Sequence, residues 1–302
     1  MSMRERMWAS VQAAQDEICQ GLSQVAEQDF EETSWERPGG GGGRSRLVQD
    51  GPVIEKGGVN VSAVHGTLRE AAAQAMSARG VDTSDRRFFA TGLSLVIHPR
   101  NPFAPTVHAN YRYFELGDER SPSAWWFGGG ADLTPSYLFE EDAVHFHRVL
   151  KELCERHDPA WWPRFKAWCD DYFFVKHRGE ARGVGGIFFD DLHDRPPQQL
   201  AAFAEDGLAS FLPGYLPILK RRMHTPFTEE HVRWQRVRRG RYVEFNLVWD
   251  RGTHFGLRTD ARIESVLMSL PLNAMWITNH EVTPGSPEAH TVAVLKEPRD
   301  WV

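Results

Sequence analysis

The sequence predicts an α+β fold, a large and mainly antiparallel β-sheet with long helical excursions, in a single domain. Three observations lead there. Runs rich in β-branched and aromatic residues, such as 88–98 and 106–115, follow one another with only a loop between them. Segments with helical spacing come in long blocks and do not alternate regularly with single strands, which disfavours a parallel βαβ sheet. No internal repeat is visible. A chain of 302 residues admits one large domain or two small ones, and we read one, spanning 1–302.

In chain order, residues 1–30 hold an N-terminal helix. Met7, Val11, Ala14, Ile18, Leu22 and Val25 recur at spacings of three or four, an amphipathic stripe that docks on the rest. A Gly-rich loop follows at 37–44, too rich in glycine to hold regular structure; it reads equally as a flexible linker or as a loop closing over a ligand. Residues 45–49 and 53–64 read as short strands around Gly57-Gly58. Two further strands at 88–98 and 106–115 flank a rigid loop whose prolines Pro99, Pro102 and Pro105 stop any helix. Gly128-Gly129-Gly130-Ala131-Asp132 reads as a turn. Helices are predicted at 137–157, 163–176, 198–211, 228–239 and 262–269, and strands at 185–189 and 241–249.

Composition excludes several classes. Lys and Arg total 35 against 41 Asp and Glu, for a net charge of −6, which disfavours a general nucleic-acid surface and leaves any anionic ligand to be met by a local basic cleft. No run of about 18 apolar residues provides a membrane span, and the N-terminus lacks the apolar core of a signal peptide, so the cytosol is the expected compartment. Cys19, Cys154 and Cys169 are too few and scattered for a disulfide framework or zinc cluster, and are expected to be reduced and buried.

The chemistry-bearing residues concentrate on strands. Period-two alternation puts His108, Asn110 and Arg112 on one face of 106–115, opposite Val107, Ala109, Tyr111 and Tyr113, and puts Ser94 and His98 opposite Leu93, Leu95 and Ile97. A merely solvated face would carry mostly Lys, Glu and Thr; His, Asn and Arg together point to a pocket. Residues 241–249 alternate likewise and deliver Asp250 to a strand end, either as a site carboxylate or as a cap of the turn into Gly252. His145 and His147 lie roughly 200° apart on their helix, and His147 is the inward candidate. His177 extends the stripe of Trp162, Phe165, Cys169 and Phe173, toward a core or a dimer interface.

Two stretches, Gly185-Gly186-Ile187-Phe188-Phe189-Asp190-Asp191-Leu192 and 239–247 (Arg-Gly-Arg-Tyr-Val-Glu-Phe-Asn-Leu), together with 168–174, 250–253 and 263–271, resemble the signature segments of the oxygen-dependent coproporphyrinogen III oxidase family. The similarity runs from the opening helix to Trp301. One departure is Gly256-Leu257-Arg258, where a bacterial form would carry Gly-Gly-Arg. The resemblance implies a sheet covered by helices on both sides and a homodimer, with 242–277 in the interface. It also implies the oxidative decarboxylation of two propionates of coproporphyrinogen III, giving protoporphyrinogen IX, carbon dioxide and hydrogen peroxide. Molecular oxygen is then a co-substrate, and no flavin, haem or nicotinamide is expected.

By position, Ser94, Asn110, Tyr111, Arg112, Gly256, Leu257 and Arg258 resemble the substrate-binding stretches and His108 the proton donor. Asp250 and Arg251 resemble the family's acid and arginine pair. His98, His108, His147 and His177 resemble positions proposed to hold a divalent metal, a role imidazole can fill, although structural histidines account equally well for His147 and His177. Guanidinium forks suit a substrate rimmed with carboxylates, so Arg112, Arg251, Arg258 and Arg262 are the expected clamps. A non-haem metal oxygenase and a porphyrin carrier are the rival classes; the first needs converging metal ligands and the second needs no acid or base.

Overall fold

A computed structural model describes residues 1–78, 80–258 and 262–302, without the side chains of Ala75, Phe255 and Arg258. The elements in chain order are α1 (Met3–Ala26), β1 (Glu31–Glu36), β2 (Gly41–Gln49), β3 (Ile54–Thr67), α2 (Glu70–Ser77), β4 (Arg87–Pro99), β5 (Thr106–Asp118), β6 (Ser121–Thr134), α3 (Glu140–His157) and α4 (Trp161–Tyr172). After them come β7 (Phe174–Val175), β8 (Glu180–Ala181), β9 (Gly185–Leu192), α5 (Pro197–Ala209), α6 (Phe211–Arg222), α7 (Glu229–Val248), α8 (Arg251–Arg258), α9 (Ile263–Leu267) and α10 (Pro287–Lys296). Seven strands form one sheet in the order β1-β2-β3-β4-β5-β6-β9, every pairing antiparallel. The predicted α+β class is the observed one.

The two faces of this sheet differ because its strands alternate. On one face Leu93, Leu95, Val107, Ala109, Tyr111, Tyr113, Leu133 and Ile187 join Met7, Val11, Ile18 and Leu22 of α1 and Phe146, Leu150, Phe165, Phe203 and Ile218 of α3 to α6 in a single buried core. The predicted stripe of α1 is therefore the docking surface. The other face keeps His108, Asn110, Arg112 and Ser94 partly exposed. Helix α7 crosses the end of the central strands, where Arg239 pairs with Glu55 and donates to the Pro99 carbonyl at 2.8 Å. All three cysteines are free and buried.

Several expectations are corrected. The Gly-rich loop is neither linker nor lid, for Gly41, Gly42 and Gly43 open strand β2 and pair with β3, the last two with β1 as well. Only the turn before them needs glycine for its backbone, with Gly40 and Gly41 at φ 111° and 82°. Gly128 to Asp132 is not a turn but part of the C-terminal half of β6. Residues 241–249 are not a strand: α7 runs unbroken from its Thr228–His231 capping box to Val248. Buried Arg238, Tyr242, Phe245 and Asn246 follow helical spacing there, and the chance alternation of apolar residues gave the wrong period. Strands β1, β6, β7 and β8 and helices α2, α6, α8 and α10 were not anticipated.

His147 lies in the core, its Nε2 donating to the Val184 carbonyl at 3.0 Å, and burial with the nearby Lys166 charge lowers its pKa to about 3. His98, also fully buried, is pushed well below the ordinary histidine value by burial and by Arg239. Each stays neutral in the fold yet takes a proton near pH 6.5 when unfolded, so its stabilising contribution is present above that pH and is lost as pH falls toward the folded value. At pH 5 the loss is about 2 kcal/mol per group. Urea midpoints are expected to fall between pH 7 and pH 5, and His147→Gln to flatten that slope; an unchanged slope would contradict the assignment.

Candidate active site

The exposed face of the sheet is organised by strand register. Opposed residues of antiparallel neighbours point to the same side, so His108 on β5 stands beside Asp132 on β6, and Asn110 lies between Ser94 on β4 and Gly130 on β6. His108 Nδ1 lies 2.7 Å from Asp132 Oδ1. Arg182, just after β8, donates to Asp132 Oδ2 at 2.7 Å and to Asn246 Oδ1 of α7 at 2.9 Å. The Arg182 guanidinium is buried among aromatic faces, 4.1 Å from the centre of Phe173 and 4.5 Å from Tyr242.

This bonding fixes charge and tautomer. Burial alone would push the Asp132 carboxyl up, but the Arg182 charge and the His108 hydrogen bond outweigh it, and its pKa falls below the ordinary value. An ionised carboxylate only accepts, so Nδ1 of His108 carries a proton and Nε2 is the ring nitrogen left to accept or donate a second one. Phe173 stands edge-on to the imidazole at 6.0 Å between centres. No other described group bonds Nε2, and the side chain is 22% exposed. The result is a fixed imidazole offering one nitrogen to the partly exposed face of the sheet.

Next to it, Arg112 lies across the sheet, donating to Asn110 Oδ1 at 2.6 Å and to Asp190 Oδ1 at 2.7 Å. Gly128 leaves room for it: a Cβ there would stand 2.6 Å from Arg112 Nη2 and 2.7 Å from Asp190 Oδ1. Tyr111, between these two residues in sequence, faces the opposite way and is 1% exposed in the core, so only its backbone belongs to this face. Ser94 is where the alternation put it.

Asp250 reaches the site by a different route from the predicted strand end. It caps the N-terminus of α8, its Oδ2 accepting from Thr253 N at 2.7 Å and Thr253 Oγ1 at 2.8 Å, while Tyr172 OH donates to Oδ1 at 2.8 Å. Burial opposes its charge, but these bonds and the nearby His108 hold its pKa below the ordinary value. Tyr172 is stacked on Phe188 of β9 at 4.1 Å. Arg251 is exposed, 5.0 Å above the Tyr172 ring and 3.9 Å from Asp190 Oδ2. Gly256 is buried and Leu257 exposed on α8; the Arg258 side chain lies outside the described residues.

The four histidines expected around a metal do not converge. His98 is bonded through Nδ1 to Thr106 Oγ1 at 3.1 Å and through Nε2 to the Ser269 carbonyl at 2.9 Å. His147 is on the core face, against Gly185, which pairs with Leu133. His177 is not on the α4 stripe; it lies in the turn after β7, bonded to Glu244 at 2.8 Å and to Trp249 Nε1 at 3.0 Å. These residues with His108 do not fit one ion, and among the described residues no three His, Cys, Asp or Glu side chains form a metal-holding group.

Asp132, Arg182, Asn246, Asp190 and Tyr172 escaped the sequence reading as site residues. Had 121–134 been read as a strand, register would have placed Asp132 beside His108; Arg182 carries no local signal at all.

The family model for coproporphyrinogen III oxidase matches residues 6–301. The chain is 51% identical over 310 residues to the chloroplastic oxygen-dependent coproporphyrinogen-III oxidase of Glycine max, covering 100% of this chain and 80% of that one. It is 52% identical over 306 residues to the mitochondrial protein of the same description from Homo sapiens, with 99% and 67% covered. With the corresponding Drosophila melanogaster protein it shares 51% over 308 residues, with 100% and 79% covered. Similarity at this level along the whole chain is a statement of descent: the chain belongs to the coproporphyrinogen III oxidase family.

Proposed function

We infer that this protein catalyses the oxygen-dependent oxidative decarboxylation of two propionates of coproporphyrinogen III to vinyl groups, giving protoporphyrinogen IX in haem biosynthesis. The whole-length family match carries this reading. The cleft is chemically suited to it. Each event removes carbon dioxide and passes two electrons from the substrate to oxygen, which leaves as hydrogen peroxide. An electron-rich pyrrole gives up those electrons more readily once its N–H proton is withdrawn, so proton handling and a fixed ring position are what the protein must supply.

His108 is the proposed proton-transfer residue, oriented by Asp132. Arg112, aligned by Asn110 and Asp190, is the proposed clamp for a rim carboxylate, with Ser94 beside it. Asp250 and Arg251 are proposed to flank the cleft, the carboxylate countering positive character on the ring. No step is assigned to a metal.

A homodimer is proposed through the region 242–277, supported by the exposed apolar side chains Leu247, Val248, Trp249, Leu257, Ile263, Leu272 and Trp276. No described helix is long and apolar enough to cross a membrane. The cytosol is our proposed compartment, supported by three unpaired buried cysteines; the plant and human relatives are named chloroplastic and mitochondrial.

An assay with coproporphyrinogen III on chelator-treated protein is expected to give vinyl product in air and none without oxygen. Product formed equally in both, or in neither, would sink the reading. Arg112→Lys keeps the charge but loses the fork, and KM is expected to rise about tenfold with kcat little changed; an unchanged KM would remove the clamp. Asparagine caps a helix nearly as well as aspartate, so Asp250→Asn is expected to cost under about 1 kcal/mol of stability while lowering kcat at least about tenfold through the lost charge. A normal kcat would leave Asp250 as a cap alone.

A further inference from the structure

The Gly-rich segment has no part in the chemistry above, yet its place in the sheet brings it to the same cleft. Register can be followed across five strands as one row: Trp35 on β1, Gly43 on β2, Ser62 on β3, Gly92 on β4 and Arg112 on β5. Opposed residues share a face, so Trp35 stands on the face that carries Arg112. Two contacts agree. A Cβ on Gly43 would run into the Trp35 ring, and Trp35 Nε1 donates to Ser45 Oγ at 3.2 Å. Ser45 is in register with Asn60, Ser94 and Asn110, the neighbouring row of the cleft.

Only Gly43, Ser62 and Gly92, all partly exposed, stand between the tryptophan and the arginine, across four interstrand spacings or roughly 19 Å. The floor is bounded on its long sides as well. On one, Arg262 donates to Ser45 Oγ at 3.3 Å, and Met268 covers Gly58. On the other, Phe114 stacks with Trp126 at 4.3 Å and with Phe88 at 6.1 Å. Asn60 Oδ1, in the row beside this floor, accepts no hydrogen bond, and pyrrole N–H groups are donors. A broad apolar ring with a charged rim needs a low floor, aromatic walls and cations at the edge, and these residues supply all three.

We propose that Trp35 is a specificity-determining residue, the wall of the substrate cleft that packs against the part of the tetrapyrrole farthest from His108, and that position 43 is glycine so that the indole can seat there. Arg262, 28% exposed, sits beside that wall and meets a rim carboxylate at the end opposite Arg112. This rests on the reading that the His108 face binds coproporphyrinogen III.

The test compares wild type, Trp35→Ala and Trp35→Phe for KM and kcat with coproporphyrinogen III, for Kd with the stable oxidised ring coproporphyrin III by absorbance titration, and for melting temperature. Trp35→Ala is expected to raise KM and Kd about tenfold with kcat within about twofold, and Trp35→Phe to raise them about threefold, the scale of lost aromatic packing. Unchanged KM and Kd in a well-folded Trp35→Ala overturn the wall while wild-type turnover leaves the reaction assignment intact. Should Trp35→Ala fail to fold, Trp35→Phe decides, and wild-type constants there overturn the proposal equally. Absence of turnover by wild type would instead strike the underlying reading.

Discussion

The buried pair of Asp132 and Arg182, each side chain 2% exposed, is the constraint on which the cleft depends. Two opposite charges withdrawn from water are costly unless every lone pair and proton finds a partner. Here the aspartate divides its oxygens between Arg182 and His108, and the arginine donates from Nη2 to Asp132 and from Nη1 to Asn246, while its Nε has no hydrogen-bond partner among the described residues. The pair thereby joins β6, the segment after β8, and α7, and it settles which nitrogen of His108 faces the cleft. Loss of either charge would strand the other, at about 3–5 kcal/mol.

Around that pair the sheet works as a ruler. Its antiparallel register sets His108 beside Asp132 and brings Trp35 onto the face of Arg112, while glycines at 43, 92 and 128 keep side chains out of the way. Helix α8 adds Asp250 from above, held by the Tyr172–Phe188 stack. Side chains on strands, braced by a buried core on the opposite face, are held more rigidly than loop residues would be.

Much of this was legible in the sequence where the local pattern and the fold agree. The stripe of α1 and the alternation of 88–98 and 106–115 located the core face, the polar face and the inward turn of Tyr111. Legibility failed where tertiary context overrode composition. Glycine runs at 41–43 and 128–130 looked like loops because the neighbours that require them, the Trp35 and Arg112 side chains and the Ile187–Phe188 backbone, are distant in sequence. Residues 241–249 alternate by chance, and the continuity of α7 follows from burial on several sides. Asp250 was accordingly placed at a strand end although it caps a helix, and Asp132, the carboxylate bonded to His108, was missed. The histidine set was legible only as a resemblance, and its members occupy four separate environments.

The central claim is that His108 and Asp132 act as one unit in moving the substrate's proton, and a double-mutant cycle on kcat tests it most directly. His108→Gln, Asp132→Asn and the double variant would be compared at saturating coproporphyrinogen III and oxygen, with folding of each verified by circular dichroism. Groups that act as a unit are non-additive, so each single variant should lose about 100-fold or more and the double should lose little beyond the worse single. Multiplying losses, or near-normal turnover by a folded Asp132→Asn protein, would contradict the account.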